Sequence, residues 1–410
     1  MNAHTPFPAA AEAILPDLVT LRRAIHREPE LGLHNPLTRD KIRAALDGLP
    51  IEWREGPSTT GLIGILRGGS AGAGSNTRTV LLRGDMDALP LTEDTDLEYS
   101  SSTPGIMHAC GHDSHVAMLV GAAKLLCDAR ERLNGTVMFM FQPGEEGHHG
   151  ARFMLDDGLI DPLPDAAFAL HVMPNAPHGM FSTKAGPLLA SSDVLTIVVK
   201  GAGGHASMPH DAVDPIPVAC AIVTAIQTMI TRRVSVFDPA VVTIAKITAG
   251  TTNNIIPETA ELLGTIRTLS PKRRAMVADE LTKLALHIAA AHHCTAEVHI
   301  EEGFPVTICD ARAAAFAEDV VLDQFGEASW RKMEHPVMGA EDFAYVLEKV
   351  PGAMVWLGAS HEGSDWRACC GLHSNHMVMD DSVMARGAAL HAALAERFLA
   401  QGFGVQVPPL

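Results

Sequence analysis

An α/β fold interrupted by a smaller α+β domain is what this sequence predicts, and three observations carry that reading. Apolar runs of strand length alternate with helical periodicities through the first part of the chain. From about residue 190 to 302 the order changes to βαββαβ, a ferredoxin-like unit. With 410 residues the chain also exceeds one ordinary core. The expected layout is 1–189 for the first part of the α/β domain, 190–302 for the insert, and 303–410 for the remainder.

Taken in order, "PDLVTLRRAIHREP" places Leu18, Leu21 and Ile25 on one helical face and stops at Pro29. "TVLLRGDMDALP" reads as a buried strand ending near Arg83, and "HDSHVAMLVGAAKLLCDARERL" as a helix. "GTVMFMFQPGEEG" and "DAAFALHVMP" read as two further strands. Strands separated by helices predict a mostly parallel sheet with helices on both faces. In the insert, "DVLTIVVKG", "AVVTIAKITAG", "TAELLGTIRTL" and "TAEVHIEEG" are the four strands. "DPIPVACAIVTAIQTMITRR" and "SPKRRAMVADELTKLALHIAAAHH" are its two helices. The Gly- and Ser-rich "GGSAGAGSN" reads most simply as a flexible hairpin loop.

Composition narrows the function classes. Asp and Glu number 48 against 31 Lys and Arg, a formal charge of -17, and no long basic run interrupts the balance. Nucleic-acid affinity needs cations set against phosphates, so a nucleic-acid partner is not expected. The first residues lack a positive n-region, with Pro8, Glu12, Pro16 and Asp17 breaking any signal-like core, and no apolar stretch is expected to span a bilayer. Seven scattered cysteines, including adjacent Cys369 and Cys370, make a poor disulfide framework. A reducing, cytoplasmic compartment is the expectation.

Chemistry concentrates in "MHACGHDSHVAML", residues 107–119, where three histidines, a cysteine and an aspartate crowd the start of a helix. Unpaired N–H groups and the helix dipole there favour a thiolate. Asp85 follows a strand, Glu145 and Glu146 follow another, and His171 closes a third. Ligands of open α/β sheets bind beyond the carboxyl ends of strands, so these groups are placed to converge. Neighbouring carboxylates point in different directions, which suits one to a metal and the other to general-base work. Each stretch alone has an ordinary reading: "GEEG" as a solvated acidic turn, His171 as a hydrogen-bonded core histidine.

The ordered series "RGDMDALP", "MHACGHDSHVAML", "FQPGEEG", "ALHVMP", "GGHASMPH", "NIIPETAELLGTIR", "MGAEDFAYV" and "GLHS" resembles the dinuclear metallopeptidase-like amidohydrolases over nearly the whole chain. That family includes hippurate hydrolase, the auxin-conjugate hydrolases and related aminoacylases and carboxypeptidases. The resemblance implies a metallopeptidase-like catalytic domain with an inserted lid and dimerisation domain. It implies Cys110, His112, Glu146, His171 and His373 as ligands of two divalent metal ions, with Cys110 bridging as a thiolate and Glu145 as the general base. Many relatives carry their first ligand histidine where this chain has Arg83, a place that His112 fills here, and Asp85 then orients a ligand. The donor set suits zinc, manganese or cobalt.

In the insert the resemblance implies that His205 reaches the partner subunit's active site and steadies an oxyanion, while Asn254 and Arg267 bind the substrate carboxylate. Read by itself, Arg267 is equally a cross-strand salt-bridge partner. "VVKGAGGHA" also fits a dinucleotide-binding G-x-G-x-x-A pattern, but Pro209 and Pro215 delay the helix that should follow at once.

The chain departs from the family pattern at His148 and His149, at Asn35, and after His373, where "GLHSNHM" lacks the usual proline and aromatic. His148, His149 and His376 are either acyl-pocket or surface residues. The expected activity is hydrolysis of the amide of an N-acyl amino acid by a homodimer. The alternatives are a dipeptidase, a diamino-acid N-deacylase, or a catalytically silent dimeric binding protein of the same fold.

Overall fold

The computed structural model describes residues 6–69 and 77–404, so most of the glycine- and serine-rich tract lies outside the described residues. The chain forms two compact units. The first takes the described residues up to Leu188, with Ile308–His335 and the chain from Asp342 onward. The second takes Leu189–Thr307 and Pro336–Glu341.

The first unit is built on a seven-stranded sheet. Its strands lie in the order Ile51–Glu55, Leu62–Arg67, Gly135–Gln142, Arg78–Asp85, Ala166–Met173, Gly352–Gly358 and Phe181–Ser182. The four from Gly135–Gln142 to Gly352–Gly358 run parallel, whereas both edges are antiparallel. The sheet is thus mixed, where a mostly parallel one was expected. Only residues 56–61 join the first two strands, too few for the crossover a parallel pair requires. The central strands are buried almost without interruption, as strands covered on both faces must be.

Helices Phe7–Arg27, His112–Asp128, Ala311–Phe325 and Val383–Gln401 pack against one another and against this sheet. The first starts nine residues earlier than the sequence pattern indicates and carries Pro16 inside it. Pro16 and Glu12 are both exposed, so the carbonyl of Glu12, which loses its helical N–H partner to the proline, belongs to the solvent-facing side of the helix. Two glycines fit the helix His112–Asp128 to the sheet. A Cβ on Gly84 would stand 2.9 Å from the carbonyl oxygen of His115, and Gly111, with φ +85°, would drive a Cβ to 2.4 Å from Val172.

The second unit holds a four-stranded antiparallel sheet in the order Ala240–Ala249, Thr259–Thr268, Asp193–Lys200 and Thr295–Glu302. Alternate residues point inward, so Leu195, Ile197 and Val199 meet Ala260, Leu262 and Ile266 in one core. Helices Pro215–Arg233 and Pro271–Ala291 cover it, capped by Asp214 and Ser270, whose side chains accept the N–H groups of Ile216 and Arg273. By length and composition Pro215–Arg233 is long and apolar enough to cross a bilayer, which corrects the expectation that no stretch is. Its Val218, Ala219, Ile222, Ile226 and Met229 are spent on the core of this unit.

Candidate metal centre

Five segments of the first unit bring the chemistry to the carboxyl ends of the parallel strands. Asp85 ends its strand, Glu145 and Glu146 follow theirs by a three-residue and a four-residue step, and His171 stands two residues before the end of Ala166–Met173. Cys110 and His112 sit at the start of the helix His112–Asp128, and His373 comes from a loop, on a left-handed backbone with φ +63°. The amide of His373 donates to the carbonyl of Ala109 at 2.7 Å, which ties this late loop to the cysteine segment.

The side chains of Cys110, His112 and His171 form one group of three donor atoms, all mutually within 4.8 Å, and Cys110, Glu146 and His373 form another. Cys110 is common to both. Its sulfur lies 3.5 Å from Nε2 of His171, while Nε2 of His373 lies 3.2 Å from Oε1 of Glu146. His112 directs Nε2 toward Asp85, Glu145 and Glu146 at 3.5, 4.0 and 4.0 Å.

Backbone carbonyls set the orientation of two imidazoles. Nδ1 of His112 lies 2.8 Å from the carbonyl of Asp87, and Nδ1 of His171 lies 2.7 Å from that of Val172. Both rings are thereby turned with Nε2 toward the shared thiol, the arrangement usual for ligating histidines. Nε2 of His112 is buried with no hydrogen-bond partner. An orphaned donor atom among a thiol, a carboxylate and two imidazoles fits a divalent metal of the zinc, manganese or cobalt type. Burial, with His115 beside it, pushes His171 well below the usual histidine range and keeps it a neutral donor. Burial also pushes the Cys110 thiol up, so a metal must displace its proton.

Behind these groups stands a second layer of polar contacts. Asp85 accepts from Arg83, and its Oδ1 lies 2.6 Å from Nδ1 of His115. Nε2 of His115 in turn accepts the amide of Val172 at 2.9 Å. Arg83 also donates to Gln142 Oε1 at 2.8 Å and Asp342 Oδ1 at 3.1 Å. Where many relatives carry a ligand histidine, this chain therefore has a buried cation neutralising Asp85 and Asp342. Asp85 Oδ2 stands 3.5 Å from Nε2 of His112, one of the proposed ligands. Asp87 was not singled out in the sequence: its carboxylate accepts the amides of both Glu145, at 2.9 Å, and Glu146, at 3.0 Å. The only sequence signal was an acid inside the otherwise apolar "MDAL".

His205, Asn254 and Arg267 all belong to the second unit. His205 is exposed on the short strand Gly204–His205, with Nδ1 2.8 Å from Ser207 Oγ. It pairs with Ile255, and Ala206 donates to the carbonyl of Asn254 at 3.1 Å, so His205 and Asn254 flank one two-stranded ribbon. Arg267 is half-buried, donates to Thr265 and to the carbonyl of Ile266, and joins no ion pair among the described residues. Its guanidinium is not the cross-strand salt bridge that the sequence left open. Of the other histidines, His149 lies 2.8 Å from the Tyr345 hydroxyl and His376 contacts the carbonyl of Asp94, while His148 is exposed.

The sequence profile of Peptidase family M20/M25/M40 matches residues 81–397, more than half of the chain. The chain belongs to this family. It is 37% identical to thermostable carboxypeptidase 1 of Saccharolobus solfataricus over 386 residues, 93% of this chain and 95% of the relative. It is 36% identical to hippurate hydrolase of Campylobacter jejuni over 380 residues, covering 92% and 96% of the two. A dinuclear metal-binding peptidase of the M20 family from Bacillus subtilis superimposes with a TM-score of 0.81 at 33% identity, covering 95% and 99% of the chains. This M20-family chain is a metal-dependent amidohydrolase.

Proposed function

We propose that the chain hydrolyses the amide of N-acyl amino acids, such as benzoyl, acetyl or indolyl conjugates, releasing the free amino acid. One relationship carries the reading: Cys110 is shared by two groups of three donor atoms, with Glu145 beside them and 4.0 Å from His112. Cys110, His112, Glu146, His171 and His373 would hold two divalent ions, zinc, manganese or cobalt, and Cys110 would bridge them. Such ions, when bound, acidify water and polarise a carbonyl.

Glu145 takes the proton of the attacking water and passes it to the nitrogen of the leaving amine, so one carboxylate serves first as base and then as acid. Asp85 keeps the ligand shell oriented. His205 steadies the negative charge on the carbonyl oxygen of a substrate held by the partner subunit, while Asn254 and Arg267 bind the substrate's carboxylate. That Arg267 joins no ion pair among the described residues supports that assignment. A homodimer is part of the proposal. Among the described residues Ala240–Ala249 pairs with one neighbour and exposes Val241 and Ile247, leaving a row of backbone groups for a second copy. The seven free cysteines support a reducing, cytoplasmic setting.

The test is turnover of a panel of N-acyl amino acids and dipeptides by metal-stripped protein resupplied with manganese, cobalt or zinc. Metal-dependent release of amino acid from hippurate-like or acetyl substrates is expected. Release from unblocked dipeptides alone would replace this reading with a dipeptidase.

A further inference from the structure

Asp87 is 1% exposed; no Lys or Arg pairs with its carboxylate among the described residues, and the basic group that faces it, Nδ1 of His112, stands 3.6 Å from Oδ1. Burying a carboxylate without a cation is costly unless its hydrogen bonds are satisfied. Here the two oxygens are divided between two successive amides: Oδ1 accepts Glu145 N–H at 2.9 Å and Oδ2 accepts Glu146 N–H at 3.0 Å. The same residue's carbonyl faces Nδ1 of His112 at 2.8 Å. One residue thus contacts the candidate base and two candidate ligands, which lie on separate segments of the chain.

The dipeptide needs such a clamp. Glycines with φ +71° and +81°, Gly144 and Gly147, flank it, and glycine leaves a peptide plane free to rotate. Successive N–H groups pointing the same way form a concavity that suits an anion. With Asp87 seated there, the Glu145–Glu146 peptide plane is fixed, and the two side chains must leave it in diverging directions, one toward each task.

We propose that Asp87 is a positioning residue that fixes Glu145 for proton transfer by clamping its peptide plane. The inference rests on Glu145 being the base, and it concerns turnover rather than substrate binding. Asp87→Asn is the informative variant. It keeps the size and the backbone carbonyl that orients His112, but turns one carboxylate oxygen into an NH2 group facing a backbone N–H.

The metal-loaded dimer of this variant should bind metal with parental stoichiometry and keep KM within about threefold. Its kcat should fall on the order of a hundredfold, the scale of a displacement of about an ångström at a reacting group. In the metal-stripped protein, hydrogen exchange at the Glu145 and Glu146 amides should accelerate at least about tenfold, a local effect that a general loss of stability would not confine to two residues. In a Glu145→Gln background the same substitution should change residual turnover by less than about threefold, because a clamp has nothing to act through once the base is gone.

Parental kcat in Asp87→Asn, or an undiminished effect in the Glu145→Gln background, overturns the inference while leaving the amidohydrolase reading intact. Full activity of Glu145→Gln by itself overturns instead the reading of Glu145 as the base. If Asp87→Asn does not fold, Asp87→Glu retains the charge and displaces the acceptors by one methylene, and the same cycle and exchange measurement decide the question.

Discussion

The sulfur of Cys110 lies 3.5 Å from Nε2 of His171, although 61 residues separate them. A thiol and an imidazole at that spacing, with donor atoms of Glu146 and His373 also within 4.8 Å of the sulfur, make Cys110 the hub of the candidate centre. If Cys110 bridges two ions, metal shields it from alkylation and chelation exposes it, while the parental rate at exposed Cys220 and Cys370 stays unchanged. Peptide mapping after iodoacetamide labelling, with and without chelator, reads this directly. Cys110→Ser should lose at least one of two metals; a variant that retains both with parental affinity rules out the bridge.

Glu145→Gln keeps the shape of the side chain and removes its basicity. Metal content should stay near parental and turnover should fall about a hundredfold or more. Elemental analysis alongside steady-state kinetics checks both halves, and near-parental turnover would sink the mechanism.

Away from the metal centre, Glu93 accepts from Nε2 of His26 at 3.2 Å and from the amide of Ser101 at 2.7 Å. Burial opposes its ionisation, but His26, the Ser101 amide and Thr95 outweigh burial and hold it down from 4.5 to about 2. A carboxyl depressed in the folded state stabilises above its unfolded value and loses that contribution as pH falls through the folded one. His26 is raised above 6.5, so below pH 5 it is protonated in both states and does not confuse the reading. Glu93→Gln should therefore be less stable than the parent at pH 5, and the gap should narrow steadily toward pH 3. Urea midpoints across that interval measure it; a constant gap would mean that the charge of Glu93 contributes nothing.

Arg267→Ala should mainly raise KM, because a fork that holds a carboxylate serves ground state and transition state alike. His205→Ala should mainly lower kcat. Mixing His205→Ala with Glu145→Gln gives hybrid dimers in which one site has both groups intact, so activity should partly return on subunit exchange. No recovery, with exchange verified by mass, places His205 outside the neighbour's site.

Much of the centre was legible because its parts are local strings: "ACGHD", "GEEG" and "LHS" each announce themselves within a few residues. Asp87 did not, since its partners are backbone amides 58 and 59 positions away, and a backbone N–H leaves no mark in a sequence. Arg83 was readable as a departure from the pattern but not as a buried cation, because Asp342 joins it from 259 residues downstream. In the sheet, three of the four parallel strands were evident from continuous apolar runs, while Gly352–Gly358 was not singled out. The two-residue edge strand Phe181–Ser182 is too short to carry any period. Pro336–Glu341 joins the second unit from far outside the stretch that the βαββαβ rhythm marks, and no rhythm could signal that.

The loop that carries His373 lies late in the chain, while Cys110, His112, Glu146 and His171 all precede residue 172. If these five hold the metals, synthesis must pass residue 373 before the donor set is complete. A product cut short between residues 171 and 373 would carry four of the five donors and lack the partner of Glu146.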